Sequence, residues 1–176
     1  MSKMKRLAIY PGTFNPFTVC HYNILEKAEK LFDEVIVAPG INIDKIPEDI
    51  VKLENSELNQ RYMLDSKERV VKFLKRQIPS KNVEGYIGFL TDFVREKMDD
   101  YDEVVVIRGL RNGYDYDYEY NAMRHMWDQL PGMSIIMIAC DPVFSHVSSS
   151  AYRNLEAIKK GSGHHLLARE KQENYE

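Results

Sequence analysis

Thr18 and His21 stand three residues apart where an amphipathic stretch begins, so on a helix their side chains share one face of its first turn. A histidine in that corner, one turn after a threonine, suits a donor to a phosphate better than a packed ring. Arg108 and Arg111 flank Gly109-Leu110 just past an apolar run. They give two permanent cations around a residue whose missing side chain lets backbone come close to a ligand. Ser148-Ser149-Ser150 offers hydroxyls and N–H groups at another helix start, where they either cap the helix or meet an anion. Fixed positive charge, backbone donors and helix N-termini together suit a polyphosphate.

Other chemistries lack their residues. The chain has no Gly-x-x-x-x-Gly-Lys-Ser/Thr phosphate loop and no Gly-x-Ser-x-Gly elbow. His125 and His164-His165 have no Cys or carboxylate at ligand spacing, so no protein-held metal is expected. Cys20 and Cys140 are the two cysteines and form no redox motif.

The elements that must position these residues alternate. Apolar strands are predicted at Leu7–Tyr10, Val35–Ala38, Val83–Phe89, Val104–Ile107 and Ser134–Ala139. Helices are predicted at Phe17–Phe32, about 58–77, Leu90–Met98, up to about Leu130, and Ser148–Lys160. Residues 41–57 read as a polar loop. Tyr114, Tyr116, Tyr118 and Tyr120 alternate with acids, which imitates an edge strand or an interaction surface. The preferred reading is a helix start with Asp115 as N-cap, since Glu119, Met123, Met126 and Leu130 follow at helical spacing. Continuous apolar strands separated by helices predict one α/β domain, a five-stranded parallel sheet with helices on both faces. It spans residues 1–160, followed by a polar, partly flexible tail at 161–176. In such sheets ligands bind beyond the carboxyl ends of the strands, near a switch in strand order. The residues singled out above all follow strands.

At 176 residues, 44% hydrophobic and 29% charged, the chain is long enough for one core without staples. A net charge of −3 speaks against a nucleic-acid partner. No apolar run approaches the roughly 20 residues of a membrane span. The apolar stretch at Leu7–Tyr10 is too short for a signal peptide, so a cytoplasmic protein with reduced thiols is expected.

Tyr10-Pro11-Gly12-Thr13-Phe14-Asn15-Pro16 with Thr18-x-x-His21 resembles the signature of the nucleotidylyltransferase superfamily, a T/H-x-G-H motif shared with class I aminoacyl-tRNA synthetases. Three further segments resemble the narrower phosphopantetheine adenylyltransferase family. They are Gly88–Phe93, Arg108–Arg111 followed by Asp115–Glu119, and Val147–Ser150. The likeness runs from about Lys5 to Lys160. It implies a Rossmann-like domain that transfers AMP from ATP to 4′-phosphopantetheine, giving dephospho-coenzyme A and pyrophosphate. It also implies Mg²⁺ entering with ATP, no covalent intermediate, and a homo-oligomer, a hexamer in the family. By motif, Thr13 and His21 would contact the reacting phosphates. Lys45 and Arg108 would hold the acceptor phosphate, and Leu90 would line its arm. Phe14, Gly109, Leu110, Arg111, Glu119 and the segment Phe144, Ser145, His146, Val147, Ser148, Ser149, Ser150 would bind ATP. Two positions depart from the family pattern: Cys20 stands for the motif's glycine and Asn15 for a usual aspartate. The first could crowd adenine. The alternatives are a related transferase with another phosphorylated acceptor, such as nicotinamide mononucleotide, and a nucleotide-binding protein without turnover.

Overall fold

In a computed structural model of the chain, residues 4–41 and 57–168 are described. Five parallel strands lie in the order β3-β2-β1-β4-β5. They are β1 (Arg6–Gly12), β2 (Glu34–Pro39), β3 (Asn82–Val83), β4 (Glu103–Leu110) and β5 (Ser134–Ala139). The helices are α1 (Val19–Glu29), α2 (Glu57–Gln77), α3 (Leu90–Lys97), α4 (Gly113–Gln129) and α5 (Ser149–Ile158).

The central strands β1, β2 and β4 are apolar on both faces because both faces are covered. Ala8, Tyr10, Val35, Val37, Val105 and Ile107 pack on one side, with Ile24, Leu25 and Ala28 of α1 and Leu74 of α2. Leu7, Ile9, Ile36, Val104 and Val106 face the other side, against Phe93 and Val94 of α3 and Met126 of α4. The expected doubly covered parallel sheet is the fold.

Its register makes the cleft. β1 pairs with β4 from Arg6↔Glu103 to Ile9↔Val106 and no further. On its other side β1 continues alongside β2 to Gly12↔Pro39, while β4 follows β5 to Leu110↔Ala139. The two central strands therefore part at their carboxyl ends, at the point where the strand order reverses. Pro11 is tolerated inside β1 because it falls beyond the last β4 pair, where an N–H is not needed on that side.

Three local expectations are corrected. The strand expected over Val83–Phe89 is a two-residue ladder at the sheet edge. Only an isolated Gly40↔Tyr86 bridge follows it, and the positive φ of Gly88 (84°) bends the chain into α3. The N-cap of α4 is Asn112, not Asp115: the Asn112 side chain accepts from the Asp115 N–H at 3.2 Å. β1 does not stop at Tyr10 but runs through Pro11-Gly12. The stretch after Gly161 is packed in its first part, with Leu166 and Ala168 buried. Ala168 N–H donates to the Phe17 carbonyl at 3.1 Å, and the Gln77 amide bridges the Phe17 and Ala168 carbonyls. Of the loop predicted over 41–57, Glu57 already opens α2, and residues 42–56, including Lys45, lie outside the described residues, as do 169–176.

Candidate active site

Beyond β1 the chain reverses over itself. A Cβ on Gly12 would sit 2.7 Å from the Phe14 ring, so only glycine lets that ring fold back. Phe14 adopts a φ of 45° and packs edge-on to Tyr10 and to His21, with ring centroids 5.3 Å apart in both cases. Phe17 lies against His21 from another side, at 5.3 Å. The imidazole is thus held between aromatic rings at the first turn of α1.

A capping box fixes its remaining freedom. Thr18 is the N-cap, and its backbone N–H donates to His21 Nδ1 at 3.0 Å. Because Nδ1 accepts, the proton of the neutral ring sits on Nε2, the nitrogen left for the cavity. Burial, aided by the Arg111 charge, lowers the His21 pKa to about 4. His21 at neutral pH is an uncharged donor of one Nε2–H.

The cavity it lines, about 330 Å³, lies between the parted ends of β1 and β4. Of the residues singled out from sequence, Thr13, Phe14, His21, Arg108, Gly109, Arg111, Glu119, Val147, Ser148, Ser149 and Ser150 line it. Arg108 of β4 and Arg111 just beyond it are both held by α4. Arg108 Nε donates to Glu119, and the two side chains are largely buried. Arg111 grips Asp115 through Nε at 2.8 Å and Nη2 at 2.7 Å, and its backbone N–H adds a third donor at 2.8 Å. That contact pulls the Asp115 carboxyl below the usual carboxylate range and keeps Arg111 charged.

The N-terminus of α5 closes the opposite wall. Ser148 caps it, accepting from the Ala151 N–H at 3.0 Å, and the Ser149 hydroxyl donates to the Pro16 carbonyl at 2.8 Å. The Ser148 and Ser149 hydroxyls thus brace the helix end, while Ser148, Ser149 and Ser150 line the cavity.

Several expected residues stand elsewhere, although Gly109, expected to make room for a ligand, does line the cavity. The space its Cβ would fill is taken by Ile24 Cδ1, 2.5 Å away, so close packing of α1 on β4 requires the glycine. Leu110 pairs with Ala139 and does not line the cavity. Phe144, at the end of a 3₁₀ turn (Pro142–Phe144), lines a separate small cavity with Val19 and Tyr22, while Ser145 and His146 are exposed outside the wall. Leu90 opens α3 and packs on the cluster around Phe93, away from this cavity.

Sequence reasoning missed Tyr10, Asp115, Tyr118 and Arg153 as wall residues. Asp115 was legible as the residue one turn after Arg111 and one turn before Glu119. Arg153 was legible as the cation one turn after the serine run; it donates to the Asn15 carbonyl at 2.6 Å and to Ser150 Oγ at 2.9 Å. Cys20, the departure from the motif, is buried with its thiol against Cys140, and burial pushes its pKa up to about 12. A second cavity, about 450 Å³, adjoins the first across Thr13 and Phe14 and is walled by Tyr62, Ser66, Arg69 and Phe73 of α2.

The cytidylyltransferase-like family model matches residues 9–155, from within β1 to within α5. The chain belongs to that family. Proteins similar to it include several named phosphopantetheine adenylyltransferase. That of Shouchella clausii is 32% identical over 89% of this chain and 87% of its own length. That of Clostridium novyi is 30% identical over 85% and 83%, and that of Bacteroides thetaiotaomicron 29% identical over 88% and 91%. The family match takes in all four motif segments and the two arginines with their carboxylate partners.

Proposed function

We propose that this chain transfers the adenylyl group of ATP to the phosphate of 4′-phosphopantetheine, releasing pyrophosphate. One observation carries the reading: the His21 imidazole, three arginines and two helix N-termini converge on a single cavity at the sheet's switch point. Relatives of nearly full mutual coverage bear that activity in their names.

In the reaction an acceptor phosphate oxygen attacks the α-phosphorus in line. The new P–O bond forms as the bond to the β-phosphate oxygen breaks, and pyrophosphate departs with that electron pair. No group of the protein needs to become covalently attached, so catalysis reduces to alignment and charge stabilisation. His21 supplies one Nε2–H to the oxygens of the pentacoordinate phosphorus. Arg111, Arg153 and the α5 N-terminus neutralise the nucleotide's phosphates, and Arg108 holds the acceptor phosphate from the β4 side. Thr13, between the two cavities, faces the reacting centre. Lys45 and Leu90 belong to the acceptor side of this proposal.

Among the described residues no group of three acids, histidines or cysteines gathers to cage a metal. The cavity carboxylates Asp115 and Glu119 are both committed to arginines. Mg²⁺ in this reading arrives as part of the ATP complex, held by its phosphates, and supplies charge neutralisation there. The proposal includes assembly into a homo-oligomer, six subunits by family resemblance. No helix among the described residues is long and apolar enough to cross a membrane.

The test is pyrophosphate release from ATP with a panel of acceptors. Release with 4′-phosphopantetheine and none with nicotinamide mononucleotide is expected; the reverse pattern would reassign the acceptor, and ATP binding without release from any acceptor would make this a binding protein. His21→Ala should cut turnover by about 10²–10³ while ATP binding stays within about tenfold, since the lost donor acts chiefly in the transition state.

A further inference from the structure

The Arg111–Asp115 contact has a geometry that an ordinary surface pair lacks. All three of its donors come from one residue, Arg111 Nε, Nη2 and backbone N–H, and all go to one carboxylate. The pair lies in the cavity wall, with the Asp115 side chain 18% exposed. A capping role does not account for it, because Asn112 caps α4 and the Asp115 N–H is the group being capped. One turn later on the same helix face Glu119 holds Arg108 in a similar way.

We propose that Asp115 is a positioning residue for nucleotide binding: it fixes which edge of the Arg111 guanidinium the cavity receives. A guanidinium carries five N–H donors in a rigid plane. Asp115 takes Nε–H and one Nη2–H, so the end-on edge, one Nη1–H and one Nη2–H, is the pair left for a ligand, with the second Nη1–H on the Cδ side. That edge has the spacing to meet two oxygens of a phosphate. Arg111 stays charged with or without its partner, so the carboxylate contributes direction rather than charge. An arginine freed of Asp115 samples its rotamers and must be ordered by each incoming nucleotide, an entropy cost met at every binding event.

The inference rests on the nucleotide reading of the cavity. The substitution is Asp115→Asn, which keeps the size of the side chain and an acceptor for the Arg111 backbone N–H but loses the bidentate pair. Expected are a rise of about 10-fold or more in the KM for ATP, a KM for the acceptor within about 2-fold of the parent, and a matching loss in calorimetric ATP affinity. The deciding measurement is a double-mutant cycle. In an Arg111→Ala background Asp115→Asn should change ATP affinity by less than about 2-fold, because the residue through which it acts is gone. Equal losses in both backgrounds, or equal changes in both KM values, would overturn the proposal. Should Asp115→Asn fail to fold, Asp115→Glu serves instead. It keeps the charge but displaces the carboxylate by one methylene, and an ATP affinity equal to the parent's would likewise overturn it. A parent protein that neither binds ATP nor releases pyrophosphate would sink the functional reading itself; a parent active on ATP with an additive cycle would sink only the role of Asp115.

Discussion

At residue 21 one side chain has a structural and a chemical task, and the same hydrogen bond serves both. The Thr18 N–H that closes the capping box also dictates that the imidazole proton sits on Nε2. Burial against Phe14 and Phe17 then keeps the ring neutral, since a charged ring would lose its hydration and meet the Arg111 charge. A stability consequence follows with a definite sign. The folded pKa, about 4, lies below the ordinary 6.5, so between these values the unfolded chain binds a proton that the native one does not. Native stability should therefore be fully present above pH 6.5 and fall as pH drops toward 4, by at most about 3 kcal/mol from this group. Urea unfolding of the free protein at four pH values across that window, compared with His21→Gln, isolates the contribution. The parent's slope should exceed the variant's, and parallel slopes would show that another group titrates there.

Among the elements, what was readable from sequence and what was not divides along physical lines. Strands buried on both faces announced themselves as continuous apolar runs, and helices as three- and four-residue spacings, because both patterns reflect burial that local sequence already commits to. The edge strand β3 and the cap of α4 depended instead on pairing and on a competition between two neighbouring candidates, Asn112 and Asp115. At the site, Arg108, Arg111 and His21 were legible from type and spacing and Glu119 from the family motif, whereas Asp115 was read as a helix cap and Arg153 was passed over, because both act through partners that only the fold brings near. Gly109 is the instructive case: the position was picked out correctly as needing glycine, but α1 is what needs it. With Ile24 Cδ1 2.5 Å and Tyr10 Oη 3.3 Å from the site of a Cβ, Gly109→Ala must push α1 or Ile24 aside. It should cost about 1–3 kcal/mol in chemical denaturation, the usual penalty of overpacking. Ile24→Val, which removes the obstructing methyl, should recover part of that loss in the double variant. A loss unchanged by Ile24→Val would place the strain elsewhere, at Tyr10.

For the whole molecule, the cavity is a property of chain topology: no single element contains it, and the loop that carries Thr13, Phe14 and His21 needs support from behind. That support comes from the far end of the described chain. Leu166 is buried at 3% exposure, Leu167 bridges Thr18, and Ala168 bonds to Phe17 across a junction that Gln77 of α2 also clamps. Glu156 organises the turn by accepting the N–H groups of Gly161 and Gly163 at 2.9 and 2.8 Å. A polar segment was expected here because its charged and glycine residues outnumber the two or three apolar ones, yet those few are the ones that reach the core. Leu166→Ala should therefore destabilise the fold by about 2–5 kcal/mol, the range for emptying a buried leucine site. Because the segment braces the loop rather than touching the cavity, the same variant should raise the KM for ATP by only a few-fold under conditions where it remains folded, and excess ATP should restore much of its thermal stability by mass action. An exposed-site cost below about 0.5 kcal/mol would mean that residues 161–168 are an appendage to the domain and that the loop at Phe17 stands without them.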